Sequence, residues 1–180
     1  RDDDKRPGAY ILIALVTGEE KRMKDAYTYC DAILRKGYTP GGLWYDNELS
    51  MWGSNRYAAN AASMVGMFAS MLPETDPKRK EYIEFVQKQI NYILGDNPAK
   101  VNYVVGAEEN SPKSVHHRGA SGTYGAEDSC IPSENVFTLY GAWAGGPGPD
   151  DSYKDSRSNF QMNEVALDYN AAFTMCLAEL

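Results

Sequence analysis

Long runs of this chain carry apolar residues at three- and four-residue spacing, and each run stops at glycine or proline. That is the signature of amphipathic helices joined by sharp breaks, and it leaves little room for sheet. Pro7 suits a first helical position, and Ala9 to Val16 is apolar until Gly18. Glu19 to Arg35 repeats the pattern through Met23, Ala26, Tyr27, Cys30, Ile33 and Leu34, before Gly37, Pro40, Gly41 and Gly42 open a loop. A third helix is predicted from a Ser54 cap to Leu72. A fourth starts at Asp76-Pro77 and runs through Tyr82, Phe85, Val86, Ile90 and Ile93 to the Gly95–Pro98 stop. Asn97 to about Pro132 is rich in Gly, Ser, Pro and Asn, with only short apolar pieces. A short helix is predicted from about Glu134 to Trp143, a turn cluster at Gly145 to Pro149, and a last helix from about Asn163 onward. Five or six helices with almost no strand predict an all-α fold of antiparallel helix pairs, whose long loops carry the function.

Composition narrows the partners. With 43% hydrophobic and 24% charged residues the chain is neither disordered, collagen-like nor a coiled coil. No apolar run reaches the roughly 18 residues of a membrane span. A net charge of −7 repels phosphate, which argues against nucleic acid and anionic membrane as partners and favours a neutral or cationic ligand. The 3 cysteines (Cys30, Cys130 and Cys176) form no CxxC and read as isolated thiols, with a single bridge as the alternative, so they do not fix a redox compartment. Tyrosine is frequent, at 13 residues, and aromatics with a polar tip suit wet faces on which sugar rings stack.

Three clusters could carry chemistry. In Tyr153–Ala172, Asp155 lies in a loop and Glu164 in the predicted first turn of the last helix. Both could simply be capping acids. A general acid must hold its proton, and since a helix N-terminus favours the charged form, burial would have to prevail. The only 2 histidines, His116 and His117, stand together beside Arg118. In an extended loop His116 and Arg118 would face one way and His117 the other. Without HExxH or a cysteine pair this is not a zinc pattern; a pair hydrogen-bonding a polar ligand and a structural histidine both remain open. Trp52, at a helix start, has Arg56 and Tyr57 one turn on, which is stacking plus a charged donor, or else a hydrophobic staple.

At these residues the chain resembles glycoside hydrolase family 9, the inverting cellulases with an (α/α)6 barrel. Tyr153, Asp155, Phe160, Glu164, Ala166, Asn170 and Ala171 meet every fixed position of one family signature. Asn110, Val115, His116 and Arg118 meet the histidine signature, which departs from the usual pattern at Asn102 (serine is usual) and Glu108 (glycine is usual). Trp52–Asn60 and Asn91–Pro98 are also similar. The resemblance implies Glu164 as general acid, Asp155 as a support of active-site hydrogen bonding, and His116 with Arg118 as binders of glucosyl hydroxyls. It further implies Trp52 and Tyr57 in the cleft lining and Tyr169 near the attacking water. Inversion needs a second carboxylate, roughly 6.5–9.5 Å from the acid. The family takes it from an Asp-x-x-Asp motif that this sequence does not contain, and Arg1 corresponds to about the middle of the family's barrel.

The chain therefore reads as the C-terminal portion of one family 9 catalytic domain (residues 1–180), expected to pack on the missing N-terminal half. The implied activity is endo-β-1,4-glucanase action on cellulose, extracellular because the polymer is. Alternatives are a non-catalytic glucan-binding remnant, an exo-acting cellobiohydrolase or mixed-linkage glucanase of the same family, and a purely structural helical module. No cofactor is needed for the chemistry. Structural calcium is admitted by the family, but the consecutive Asp2, Asp3 and Asp4 cannot all face one ion and read as a solvated start.

Overall fold

The computed structural model describes residues 6–122 and 132–179. Asp2–Asp4 and Cys130 lie outside them. Five long helices form: α1 (Arg6–Thr17), α2 (Glu20–Arg35), α3 (Ser54–Ser70), α4 (Pro77–Ile93) and α7 (Leu167–Glu179). Two single turns, α5 (Arg118–Ser121) and α6 (Phe160–Asn163), sit in the loops. Among the described residues there are no strands, only isolated bridges. The expected all-α arrangement of helix pairs is the one observed: α1 packs on α2, and α3 packs chiefly on α4 and α7. No described helix is long and apolar enough to cross a membrane.

Small side chains explain why α3 is central. Ala58, Ala59, Ala61, Ala62, Ser63, Gly66 and Ala69 are all buried, so neighbouring helices approach closely around Val65 and Phe68. Asp76 caps α4 as expected, accepting the Lys78 N–H, and also takes the Tyr27 hydroxyl. Burial and that bond push the Tyr27 phenol up to about 12. Cys30 and Cys176 are buried free thiols. Burial, then the Asp31 charge, pushes Cys30 up to about 12, which keeps it protonated and unreactive.

Three expectations fail locally. Glu134 to Trp143 is not a helix: Trp143 instead pairs with Val104 in a bridge. Ser54 does not cap α3, because its hydroxyl donates to the Pro147 carbonyl and the cap position is Gly53. The last helix begins at Leu167 rather than Asn163, because Glu164 is extended (ψ 144) and bridges to His116.

Two buried polar residues fasten the loops. Gln89 on α4 accepts the Trp44 N–H at 2.6 Å and donates to the Gly42 carbonyl at 3.2 Å. Asp151 accepts from the Gly41 N–H at 2.6 Å and the Tyr92 hydroxyl at 2.5 Å. Both join the 36–53 segment to the body of the fold, and that segment ends at Trp52.

Acid should weaken this frame. Asp46 is 3% exposed; burial alone would raise its pKa, but the Lys36 ammonium and the Glu48 and Leu49 N–H groups prevail and hold it below its ordinary value. Asp31 is likewise lowered: Lys78 and the Tyr82 hydroxyl outweigh the opposing effect of burial. A carboxyl with a depressed folded pKa adds stability above its unfolded value, near 3.9, and loses it as pH falls through the folded value. The urea midpoint is therefore expected to fall from pH 5 to pH 3, and to fall less in Asp46→Asn. Equal falls in the two proteins would remove Asp46 from the account.

Candidate active site

Glu164 sits in the short link between α6 and α7, half-buried. Asn163, fully buried just before it, explains the link. Its side chain accepts the Tyr153 hydroxyl at 2.6 Å and donates to the Lys154 carbonyl at 2.8 Å, while its own carbonyl takes the His116 N–H at 2.7 Å. These partners lie outside the helix, so the backbone leaves α6 and presents Glu164 beside the histidine loop.

Two donors converge on one oxygen of Glu164. Trp52 Nε1 donates to Oε2 at 2.6 Å and the Tyr169 hydroxyl donates to the same atom at 3.0 Å. Oε1 receives neither. Tyr169 is buried, and that burial, followed by the nearby Glu164 charge, raises its phenol pKa well above the ordinary range, so it remains a donor. Gly53 makes room for it: at φ +72 its backbone suits glycine, and a Cβ there would stand 2.7 Å from the Tyr169 hydroxyl. Trp52, 44% exposed, rests on Phe160 at 4.8 Å between ring centroids, and Phe160 lies 5.9 Å from His116. The result is a carboxylate at the edge of a row of rings.

Arg56 locks the rear of this row. Its guanidinium lies 4.6 Å over Tyr57 and 4.9 Å over Tyr169, donates to the Tyr57 hydroxyl at 2.9 Å, and pairs with Asp168 at 3.2 Å. Arg56 thus joins Tyr57 to Tyr169, whose hydroxyl meets the carboxylate. Asp155 accepts the Lys113 and Ser114 N–H groups at 2.7 and 3.0 Å and so clamps the backbone of the histidine loop. His116 Nδ1 lies 2.8 Å from the Arg157 carbonyl. His117 caps α5 by accepting the Ala120 N–H at 3.0 Å, so the extended alternation ends there and exposed Arg118 begins a helix turn.

The sequence reading therefore named the carboxylate, its indole and phenol donors and the histidine. It passed over Asn163 and Arg157, polar residues whose burial no local pattern announces, and the half-buried Asn135. The two departures from the histidine signature prove to be partners, Asn102 Nδ2 donating to Glu108 at 3.1 Å. A cavity of about 330 Å³ beside this loop includes Glu108, Lys113 and Tyr140 but none of Trp52, Glu164 and Tyr169. Among the described residues no three His, Cys, Asp or Glu side chains are grouped to hold a metal, so no calcium site is assigned to them.

Known proteins resemble this chain over nearly its whole length. Endoglucanase B of Cellulomonas fimi is 42% identical over 186 residues, covering 99% of this chain and 17% of that protein. Endoglucanase A of Bacillus pumilus is 42% identical, covering 94% of this chain and 27% of its own length. The structure of endoglucanase CelQ from Clostridium thermocellum, complexed with cellobiose and cellotriose, superposes with a TM-score of 0.88 at 42% identity, over 97% of this chain and 30% of that one. The chain thus spans less than a third of each of these proteins. The model of glycosyl hydrolase family 9 matches residues 3–177, nearly the whole chain, and the chain belongs to that family.

Proposed function

We propose that this chain is the acid-bearing, C-terminal part of a cellulase catalytic domain that cleaves β-1,4-glucosidic bonds with inversion, from within the polymer. The observation that carries the reading is the placement of Glu164: Oε2 is engaged by Trp52 and Tyr169, and Oε1 is left to meet a glycosidic oxygen. Glu164 protonates the leaving oxygen. The rings of Trp52 and Phe160 form an apolar platform for a glucosyl face, and His116 and Arg118 bind its hydroxyls. Asp155 supports them by clamping the loop backbone. Tyr169 holds Glu164 and borders the water, and Tyr57 lines the cleft through Arg56.

The water-activating carboxylate comes from the remainder of the domain. Exposed apolar side chains support such a partner surface: Tyr10, Leu12, Ile13 and Val16 on α1, the last 84% exposed, and Leu167 on α7 at 93%. Such faces are expected to be covered. Acid and base work by two carboxylates needs no cofactor. An extracellular location follows from a polymeric substrate.

The reading is tested on the intact protein carrying this chain by following the anomer first released from cellotetraose. Initial α-anomer is the expected result. Initial β-anomer would exclude inversion, and binding without any product would leave only a glucan-binding remnant.

A further inference from the structure

We propose that Arg157 and Asn135 form a latch that orients His116, making both of them positioning residues; the inference rests on the role given to His116 above. Arg157 is charged yet only 5% exposed. Its Nε and Nη2 both donate to Asn135 Oδ1, at 3.0 and 2.8 Å. Asn135 passes the restraint on: Nδ2 donates to the Val115 carbonyl at 3.1 Å and its backbone N–H to the Lys113 carbonyl at 2.8 Å. The carbonyl of the same Arg157 faces His116 Nδ1 at 2.8 Å. The circuit is closed, because one residue holds the backbone before His116 through its side chain and the ring of His116 through its main chain.

The ring contact also decides the tautomer. A backbone carbonyl can only accept, so Nδ1 carries the proton and the neutral ring keeps its lone pair on Nε2. His116 then offers an acceptor to a sugar hydroxyl. Burying a guanidinium is costly unless its donors are engaged, and here two of them, Nε and Nη2, are given to one loop amide that touches no candidate catalytic atom. That expenditure is understandable if the position of the histidine loop is what it secures.

In the intact protein, Asn135→Ala is expected to lower kcat/KM on cellotetraose about tenfold, the scale of a displaced binding group. On a His116→Ala background the same substitution should change it less than about twofold, since coupled residues are not additive. Full additivity of the two losses would overturn the latch. If Asn135→Ala does not fold, Arg157→Lys, which keeps the charge and loses the fork, reads the same coupling. Ring ¹⁵N spectra of His116 supply a readout independent of turnover. Wild type should show a single Nδ1–H tautomer, and the variants a mixture. An unchanged tautomer in the variants would overturn the latch even in an active enzyme, whereas a mixture in a protein that cannot hydrolyse glucan would uphold the latch and overturn only the hydrolase reading.

Discussion

Glu164→Gln is expected to slow hydrolysis of cellotetraose about 10³-fold while leaving its binding within about twofold, the range for loss of a positioned general acid. The amide is nearly isosteric. Its carbonyl oxygen can replace Oε2 as the acceptor of Trp52 Nε1 and the Tyr169 hydroxyl, so the two donors keep a partner and the fold keeps its shape. What disappears is the proton. The loss should therefore shrink sharply for an aryl cellobioside whose leaving phenolate needs no protonation, since general-acid assistance is then unnecessary. Equal losses on both substrates would indicate a structural defect rather than a missing acid. A variant retaining activity on cellotetraose within about tenfold would end the assignment.

Gly146→Ala is expected to destabilise the protein by about 4 kcal/mol, through strain at positive φ and overpacking together. Gly146 has φ +109, and an added Cβ would stand 2.5 Å from Asn55 Cγ and 2.6 Å from Ser54 Oγ. Ser54 and Asn55 are fully buried at the start of α3, so neither can move aside. The same stretch joins the two halves of the site. The Asn55 N–H donates to the Gly145 carbonyl, the Gly146 N–H to the Met162 carbonyl, and the Gly53 N–H to the Gln161 carbonyl. Trp52 on one side and Glu164 on the other are held together by these bonds. In the intact protein the change should lower the melting temperature by several degrees, and activity measured on the remaining folded protein should fall as well. A melting temperature within about 2 °C of wild type would show that the backbone relaxes at this point and that the close packing is not needed.

The long helices were legible because each states its own limits. Apolar spacing marks the buried face, Asp76-Pro77 opens α4, and Gly18 and Gly95 interrupt the chain where helices end. The candidate site was legible to a comparable degree, since Trp52, His116, Glu164 and Tyr169 stand in patterned neighbourhoods; Trp52 and Tyr169 meet on the Glu164 carboxylate, and His116 bridges to the Glu164 backbone. Asp155 shows the limit of spacing. Its neighbourhood left it open between a capping acid and a support of the site's hydrogen bonds, and only the fold shows that it binds two backbone N–H groups, of Lys113 and Ser114, in the loop some 40 residues earlier that carries His116. The segment from Glu134 to Trp143 shows it again: its apolar spacing suggests a helix, yet Asn135 and Trp143 are each claimed by distant backbone.

The amino-acid sequence by itself determined the helical class, the limits of the first four long helices to within a residue or two, and the residue types able to do acid chemistry on a sugar, because periodicity, caps and motifs are local and are written within a few turns of chain. Only the tertiary structure decided that Glu164 lies between helices, that Tyr169 and Trp52 share one of its oxygens, and that a buried arginine orients His116. Those outcomes depend on which distant polar groups are desolvated together and must satisfy one another, and no local stretch of sequence contains that information.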